Sequence, residues 1–396
     1  MKNLILLGST GSVGQSALRI VADHPESFRV VAMAARSSDR LMLEHIRKFH
    51  PEAVCLTDAS AAARLKQELD PGTKLFVGEE GLCEIAQWSS GHMVIAASSG
   101  TSSLRPVLAA IESGKEIAIA NKELLVMAGA IMTEAARQKQ TPLLPIDSEH
   151  NAIFQCLQGV GASASVRRIW LTGSGGPLRG VPSSGFDRLT PEDVLNHPKW
   201  NMGKKITVDS ASMMNKGLEI IEARWLFGVE PDRIRIAIHP EAVVHSMVEL
   251  CDGSILAQLG PTDMRLPLLH VMAYPERVSY PEMGLSLKEL GELHFDEPDA
   301  KKFPCLELAL EAARRADSTL PAVMAAADEA AVNAFLEGNL RFSQIAPVIE
   351  GMMRRHHVVE QPDLEQVLEA EAWASRETRG RIKVSSRQTT GIKGDR

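Results

Sequence analysis

Leu4-Ile5-Leu6-Leu7-Gly8-Ser9-Thr10-Gly11-Ser12-Val13-Gly14 decides the fold, because a short apolar run ends at one glycine and a helical pattern starts after another. Ala17, Leu18, Val21 and Ala22 then recur at helix spacing. Glycine permits a tight turn and lets backbone N–H groups approach a pyrophosphate at the N-terminus of the following helix. The spacing is GxxGxxG, a variant of the dinucleotide-binding fingerprint, and alone it equally suits a turn that packs a helix on a strand. Working outward, strands are predicted at Phe28–Ala34, Ala53–Leu56, Lys74–Val77, Met93–Ala97, Glu116–Ala120 and Leu143–Pro145. Helices are predicted around Leu41–Phe49, Ser60–Leu69, Leu104–Ser113 and Lys122–Lys139. This alternation predicts a Rossmann-like, doubly wound parallel sheet. The second strand ends at Ala35-Arg36-Ser37-Ser38, with no acid to grip ribose hydroxyls. An arginine and two hydroxyls suit a 2′-phosphate and favour NADP over NAD, although a solvated loop arginine gives the same letters.

The pattern changes after Glu149. A strand is predicted at Ile169–Thr172, followed by a Gly/Ser/Pro-rich stretch over 173–185. Residues 190–205 read as a mobile loop, and Thr207–Ser210 leads into a helix over Met214–Phe227. Strands at Ile234–Ile238, Ala242–Leu250 and Ser254–Leu259 form one sheet, turned at Asp252-Gly253. A Pro- and charge-bearing linker spans about 275–300, and 303–375 is Ala/Leu/Glu-rich and helical. Low apolar content predicts disorder over 378–396. The expected fold class is therefore α/β: an N-terminal doubly wound sheet, a central α+β domain and a C-terminal α-helical domain. The expected limits are 1–146 for the NADP(H)-binding sheet, 147–275 for the α+β domain with the candidate mobile segment 183–205, 276–302 as linker, 303–377 as helical domain and 378–396 as tail.

With 396 residues and a net charge of −7, the chain offers no basic footprint for nucleic acid. An anionic substrate therefore needs a local positive pocket. The five cysteines are scattered without CxxC spacing, which suits a reducing cytoplasm. No apolar run approaches the roughly 18 residues of a membrane helix, and the N-terminal run is read as a buried strand of the mature chain.

Asp147-Ser148-Glu149 lies just past a predicted strand. If the backbone stays extended, both carboxylates face one way, and they repel unless a cation or proton lies between them. Oxygen-only ligands favour Mg²⁺ or Mn²⁺. As an isolated motif, such a pair equally marks a solvated surface. Asn215, Lys216 and Glu219 share one helix face, and Ser210, Asn215 and Lys216 supply the donors that a phosphate takes. The same spacing also fits an amphipathic helix with a wet polar side. Asn121-Lys122-Glu123 follows a strand's carboxyl end, the ligand edge of a doubly wound sheet. Gly173-Ser174-Gly175-Gly176 can form an anion nest. His197-Pro198-Lys199-Trp200-Asn201-Met202-Gly203 combines polar and bulky apolar residues in the manner of a water-excluding lid.

Together these stretches resemble the 1-deoxy-D-xylulose 5-phosphate reductoisomerase family from Lys2 to about residue 375. The resemblance is carried by GSTGSVG (8–14), ANKE (120–123), LPIDSEHNA (144–152) and GSGGPLR (173–179). It continues through HPKWNMGKKITVDSASMMNKGLEIIEA (197–223), HPEAVVHSMVE (239–249) and DGSILAQLGPTDMRLP (252–267). It implies NADPH-dependent rearrangement and reduction of 1-deoxy-D-xylulose 5-phosphate to 2-C-methyl-D-erythritol 4-phosphate, an isoprenoid precursor. It implies metal ligation by Asp147, Glu149 and Glu219 (Mg²⁺, Mn²⁺ or Co²⁺), with Glu149 and Lys122 catalytic. Ser148 would touch a substrate hydroxyl, and Ser174, His197, Ser210, Asn215 and Lys216 the phosphate. Trp200 and Met202 would cover the substrate. Thr10, Gly11, Ser12 and Val13 would hold the pyrophosphate, Arg36, Ser37 and Ser38 the 2′-phosphate, and Asn121, Glu123 and Gly203 the rest of the cofactor. It also implies a homodimer formed through the central domain. The chain departs from the family pattern at Arg36, where Gly is frequent, at Ser38, where Asn is frequent, and at Leu178 and Thr262.

Overall fold

Parallel sheets buried on both faces need near-continuous apolar strands, and the N-terminal strands supply them. In the computed structural model, which describes residues 1–98, 100–160, 166–200, 202–288 and 290–391 (side chains to Lys383), the chain opens with alternating strands and helices. They are β1 (Lys2–Leu7), α1 (Ser12–Asp23), β2 (Phe28–Ala35), α2 (Asp39–Phe49), β3 (Ala53–Leu56), α3 (Ala59–Lys66), β4 (Lys74–Val77) and α4 (Gly78–Ala86). The series continues with β5 (Met93–Ala96), α5 (Leu104–Glu112), β6 (Glu116–Ile119), α6 (Lys122–Lys139), β7 (Leu143–Pro145) and α7 (Ser148–Gln158). The first seven strands form one parallel sheet in the order β4-β3-β2-β1-β5-β6-β7. The order reverses between β1 and β5, and ligands of doubly wound sheets bind at the carboxyl ends of such a switch point.

Next come β8 (Val166–Gly173), α8 (Pro191–Leu195), α9 (Lys204–Ser212), α10 (Met214–Phe227), β9 (Ile234–Ile238), β10 (Val244–Leu250), β11 (Ile255–Leu259) and α11 (Arg265–Ala273). The sheet β11-β10-β8-β9 is mixed: β10 runs antiparallel to β8 and β11, and β8 pairs parallel with β9. Then α12 (Pro304–Arg314), α13 (Leu320–Leu336), α14 (Ile345–Arg355) and α15 (Leu364–Gly391) complete the chain.

Two compact units result. The first is Met1–Leu124, Met132–Gln155 and Asp263–Ser286; the second is Leu125–Ile131, Cys156–Thr262 and Leu287–Arg396. In the first unit α11 returns to the N-terminal core, where Leu268, Leu269, Val271 and Met272 join Leu4, Leu6, Ala17 and Val21. The second unit holds the mixed sheet and α12 to α15.

Four expectations change. Helix α4 fills the gap between β4 and β5; it is short and opens at Gly78 with φ +77°. Backbone extension after Asp147 does not occur, because α7 begins at Ser148. The stretch 183–205 is not all loop: a 3₁₀ turn covers Ser183–Arg188, a Thr190/Asp193 capping box starts α8, and α9 starts at Lys204. Finally, 378–391 continues α15 instead of forming a disordered tail, while 392–396 lie outside the described residues. Overall polarity hides a stripe at helical spacing: Val367, Ala370, Ala374, Thr378 and Ile382 are all buried.

Candidate active site

The first unit presents the Gly-rich turn at the switch point. A Cβ on Gly8, whose φ is +97°, would stand 2.6 Å from Ser98 N, and one on Gly14 would stand 2.3 Å from Gly8 O. The strand, turn and helix thus close to a distance that only glycine tolerates. Gly11 caps α1 with no side-chain hydrogen bond and no acid in the first turn. Helix-start N–H groups and the positive end of the dipole therefore face Thr10, Gly11, Ser12 and Val13, a turn that fits a pyrophosphate. Arg36, Ser37 and Ser38 are exposed just beyond β2, as a 2′-phosphate contact requires. Arg64 Nε donates to Asp39 Oδ2 at 2.5 Å and holds that carboxyl below its usual range. This neutralises an acid beside the arginine.

At the end of β6, Asn121 is buried and donates through Nδ2 to Ser98 O (2.6 Å) and Gly100 O (2.7 Å). It ties the loop after β5 to the start of α6. Lys122 and Glu123 follow in the first helical turn. Lys122 Nζ pairs with Asp147 Oδ2, a contact almost closed to solvent. Ser148 Oγ donates to Glu149 Oε2 at 2.5 Å. His150, fully buried, brings Nδ1 to 3.9 Å from Asp147 Oδ2. Two carboxylates, one ammonium and one hydroxyl are thus gathered at the starts of α6 and α7. This all-oxygen acceptor set suits a hard cation.

Sequence reasoning missed a support beneath this cluster. Asn151 Nδ2 donates to Pro145 O (3.0 Å) and lies 3.1 Å from His270 Nδ1 on α11. The amide is a donor, so the imidazole accepts and stays neutral. Burial also pushes His270 down to about 4. The asparagine was visible in DSEHNA, but its partner is over a hundred residues away.

In the second unit, the loop after β8 and the start of α10 bring polar groups together. Lys216 Nζ donates to Thr172 O (2.6 Å) and to Glu219 Oε2 (2.7 Å), and Asn215 Nδ2 donates to Glu219 Oε1 (2.5 Å). Lys216 and Glu219 are buried. Gly173 leaves room for the lysine: a Cβ there would stand 2.9 Å from Lys216 Cε. Gly176, with φ +69°, abuts Ser210 O, which a Cβ would reach at 2.5 Å. Its N–H donates to Ser174 Oγ at 3.2 Å, and Ser174 Oγ lies 3.3 Å from His197 Nε2. His197 Nδ1 accepts from Lys199 N (3.2 Å) and Trp200 N (2.9 Å). The neutral ring therefore carries its proton on Nε2, towards the serine. Burial lowers the His197 pKa and favours that neutral form. Serine hydroxyls, an ammonium, an imidazole N–H and a backbone nest are donors of the kind an anion takes. Trp200 packs its ring 6.1 Å from that of His245, and Met202 and Gly203 lead into α9.

A doubly wound sheet with a glycine turn suited to an anion, an oxygen-rich carboxylate cluster and a second set of anion donors fits one class: a nucleotide-cofactor enzyme for a small phosphorylated molecule. Comparison with known proteins makes it particular. Three family profiles match: 1-deoxy-D-xylulose 5-phosphate reductoisomerase over 4–129, the C-terminal domain of that enzyme over 143–227, and the DXP reductoisomerase C-terminal domain over 259–377. A 1-deoxy-D-xylulose 5-phosphate reductoisomerase of a Synechococcus species is 48% identical over 96% of this chain and 97% of its own. One from Moorella thermoacetica is 47% identical over 95% and 97%. A crystal structure of DOX-P reductoisomerase in complex with NADPH, fosmidomycin and magnesium superposes with a TM-score of 0.92 at 38% identity, covering 97% of this chain and 99% of that one. The Zymomonas mobilis enzyme in complex with NADPH gives 0.88 at 38% identity, covering 96% and 99%. The chain belongs to the 1-deoxy-D-xylulose 5-phosphate reductoisomerase family.

Proposed function

We infer that the protein converts 1-deoxy-D-xylulose 5-phosphate to 2-C-methyl-D-erythritol 4-phosphate, rearranging the carbon skeleton and reducing the resulting aldehyde with NADPH, on the route to isoprenoid precursors. Family membership supports the reaction, and solved relatives hold NADPH and magnesium. The observation that carries it is the set of anion donors, Ser174, His197 and Lys216, around the loop after β8, in a chain that also has a glycine turn at its switch point. A phosphate site and a dinucleotide site together suit a phosphorylated substrate that exchanges hydride.

The functional limits follow the family: 1–146 for NADPH, 147–275 for metal, substrate and dimerisation, 276–302 as linker and 303–377 as helical domain. Thr10, Gly11, Ser12 and Val13 hold the pyrophosphate, while Arg36, Ser37 and Ser38 flank the 2′-phosphate. Asn121, Glu123 and Gly203 complete the cofactor site. Asp147, Glu149 and Glu219 hold one divalent cation, for which magnesium and manganese suit the oxygen donors. When bound, the cation polarises the substrate carbonyl and NADPH supplies the hydride. Lys122 pairs with Asp147 and orients it. Ser148 orients Glu149 and meets a substrate hydroxyl, and Glu149 moves the proton of that hydroxyl. Lys216, Asn215, Ser210, Ser174 and His197 grip the phosphate, and Glu219 in turn orients Lys216 and Asn215. Trp200 and Met202 close over the substrate and exclude water, which strengthens every charge interaction inside.

The reading extends to a homodimer. Edge strand β11 exposes Ile255, Leu256 and Leu259, an apolar edge of the kind that a second copy covers. It extends also to the cytoplasm, in keeping with five unpaired cysteines. Among the described residues no helix is long and apolar enough to cross a membrane.

The test is nicotinamide absorbance with 1-deoxy-D-xylulose 5-phosphate and Mg²⁺. One NADPH should be consumed per 2-C-methyl-D-erythritol 4-phosphate formed. Product without NADPH loss would mean a redox-silent isomerase, and NADPH binding without turnover a nucleotide sensor.

A further inference from the structure

Arg36 is one exposed cation on a loop, whereas a phosphate monoester carries a charge of roughly −1.5 to −2 and several acceptor oxygens. The structure brings a second guanidinium to the same loop from a different element. Strands β2 and β3 are parallel neighbours, and the chain beyond them stays tied: Thr57 N donates to Ala35 O at 3.1 Å and Asp58 N to Arg36 O at 2.9 Å. Asp58 then caps α3, its Oδ1 accepting from Ala61 N at 2.8 Å. The start of α3 is thereby fixed beside Arg36-Ser37-Ser38. Further along α3, Arg64 reaches back, and its Nε donates to Asp39 Oδ2 at 2.5 Å. Asp39 opens α2 directly after Ser38.

As a surface ion pair this contact contributes little to the fold, since the Arg64 side chain is 58% exposed. Its geometry suits another purpose. Arg64 spends only Nε on Asp39, and neither Nη nitrogen has a hydrogen-bond partner among the described residues. The hydrogen bond from Arg64 holds the Asp39 carboxyl below its usual range, so the acid stays charged and keeps its grip. A guanidinium held at Nε loses much of the freedom of its long stem. Its two Nη groups remain as a planar fork, the shape that phosphate oxygens take two at a time. Preorganised in this way, the fork meets a ligand at lower entropic cost.

We propose that Arg64 is a specificity-determining residue for NADPH over NADH: held at Nε by Asp39, it offers its Nη fork to the 2′-phosphate, which it shares with Arg36. An unphosphorylated ribose has no charge for that fork to meet, so NADH gains nothing from it. This deepens the 2′-phosphate reading of the loop after β2 and rests on it.

Arg64→Gln in the full chain, titrated with NADPH and with NADH by nicotinamide fluorescence at fixed ionic strength, tests the role. The Kd for NADPH should rise at least tenfold, the loss of a charge-assisted contact, while the Kd for NADH stays within twofold. An NADPH Kd within twofold of the parent overturns the proposal. So does an equal rise for both cofactors, which marks a residue that only ties α3 to α2. The double variant Asp39→Asn/Arg64→Gln excludes charge screening: parent-like NADPH affinity there would mean that Arg64 merely cancels Asp39, and would overturn the contact. Arg36→Gln, run in parallel, separates the two claims. Unchanged NADPH affinity in that variant removes the 2′-phosphate reading of the loop, whereas unchanged affinity in Arg64→Gln removes only the second cation.

Discussion

Single side chains act here through their partners. Lys216 is buried, with a carbonyl and a carboxylate as acceptors, so its ammonium is aimed before any ligand arrives. A charge-assisted hydrogen bond to phosphate is worth roughly 1.5–3 kcal/mol, or about 10- to 100-fold. Lys216→Ala should raise the KM for 1-deoxy-D-xylulose 5-phosphate by about that factor, and an unaltered KM in steady-state kinetics would move the phosphate elsewhere. His270 gives a pH prediction. Its folded pKa is depressed to about 4 by burial, with Arg277 adding to the effect. The unfolded chain takes up this proton at about pH 6.5 and the folded chain only near 4. Stability from His270 is therefore whole above about pH 6.5 and falls as pH drops towards 4, by roughly 3 kcal/mol at most. Urea midpoints for the parent should decline over that window, and more steeply than those of His270→Asn. Parallel curves would show that His270 does not titrate as its burial requires.

At the scale of elements, the glycine turn carries the sharpest prediction. Gly14→Ala places a methyl 2.3 Å from Gly8 O, a backbone atom that cannot swing away. The variant should lose at least tenfold in NADPH affinity by fluorescence titration and about 1–3 kcal/mol of stability. Unchanged affinity would separate the turn from the cofactor. Strands with a clear apolar run or alternation were the most legible elements: Ala53–Leu56, Lys74–Val77 and Ile234–Ile238 lie where hydrophobic pattern puts them. Short or mixed elements were not. Nothing local announces that α7 starts at Ser148, because Asp147-Ser148-Glu149 reads as well in an extended chain. Likewise the last turns of α15 are stabilised by Thr378 and Ile382 packing inward, and such packing depends on tertiary neighbours. The donors of the proposed anion pocket were legible as residue types: Ser174 follows a strand end, Asn215 and Lys216 open a helix, and Ser210 lies in the last turn of the helix before it. The Asn151–His270 pair and the Lys205–Asp328 link were not, because both join residues more than a hundred positions apart.

At the scale of the whole molecule, assembly and metal binding each give a direct measurement. Ile255→Arg puts a charge on the exposed apolar edge of β11. In sedimentation velocity the parent should run as a dimer and the variant should shift towards monomer, while a parent that runs as a monomer would remove the dimer from the account. The proposed metal ligands are distant in the chain, and the physics of such a set is easily stated. Carboxylates near one another repel until a cation joins them, so each ligand matters most while the others are present. Mn²⁺ titration by EPR of the parent, Asp147→Asn, Glu219→Gln and the double variant is the most direct measurement. The account predicts that each single change weakens Mn²⁺ binding at least tenfold and that the double variant loses far less than the product of the two. Parent-like Mn²⁺ affinity in Glu219→Gln would contradict it.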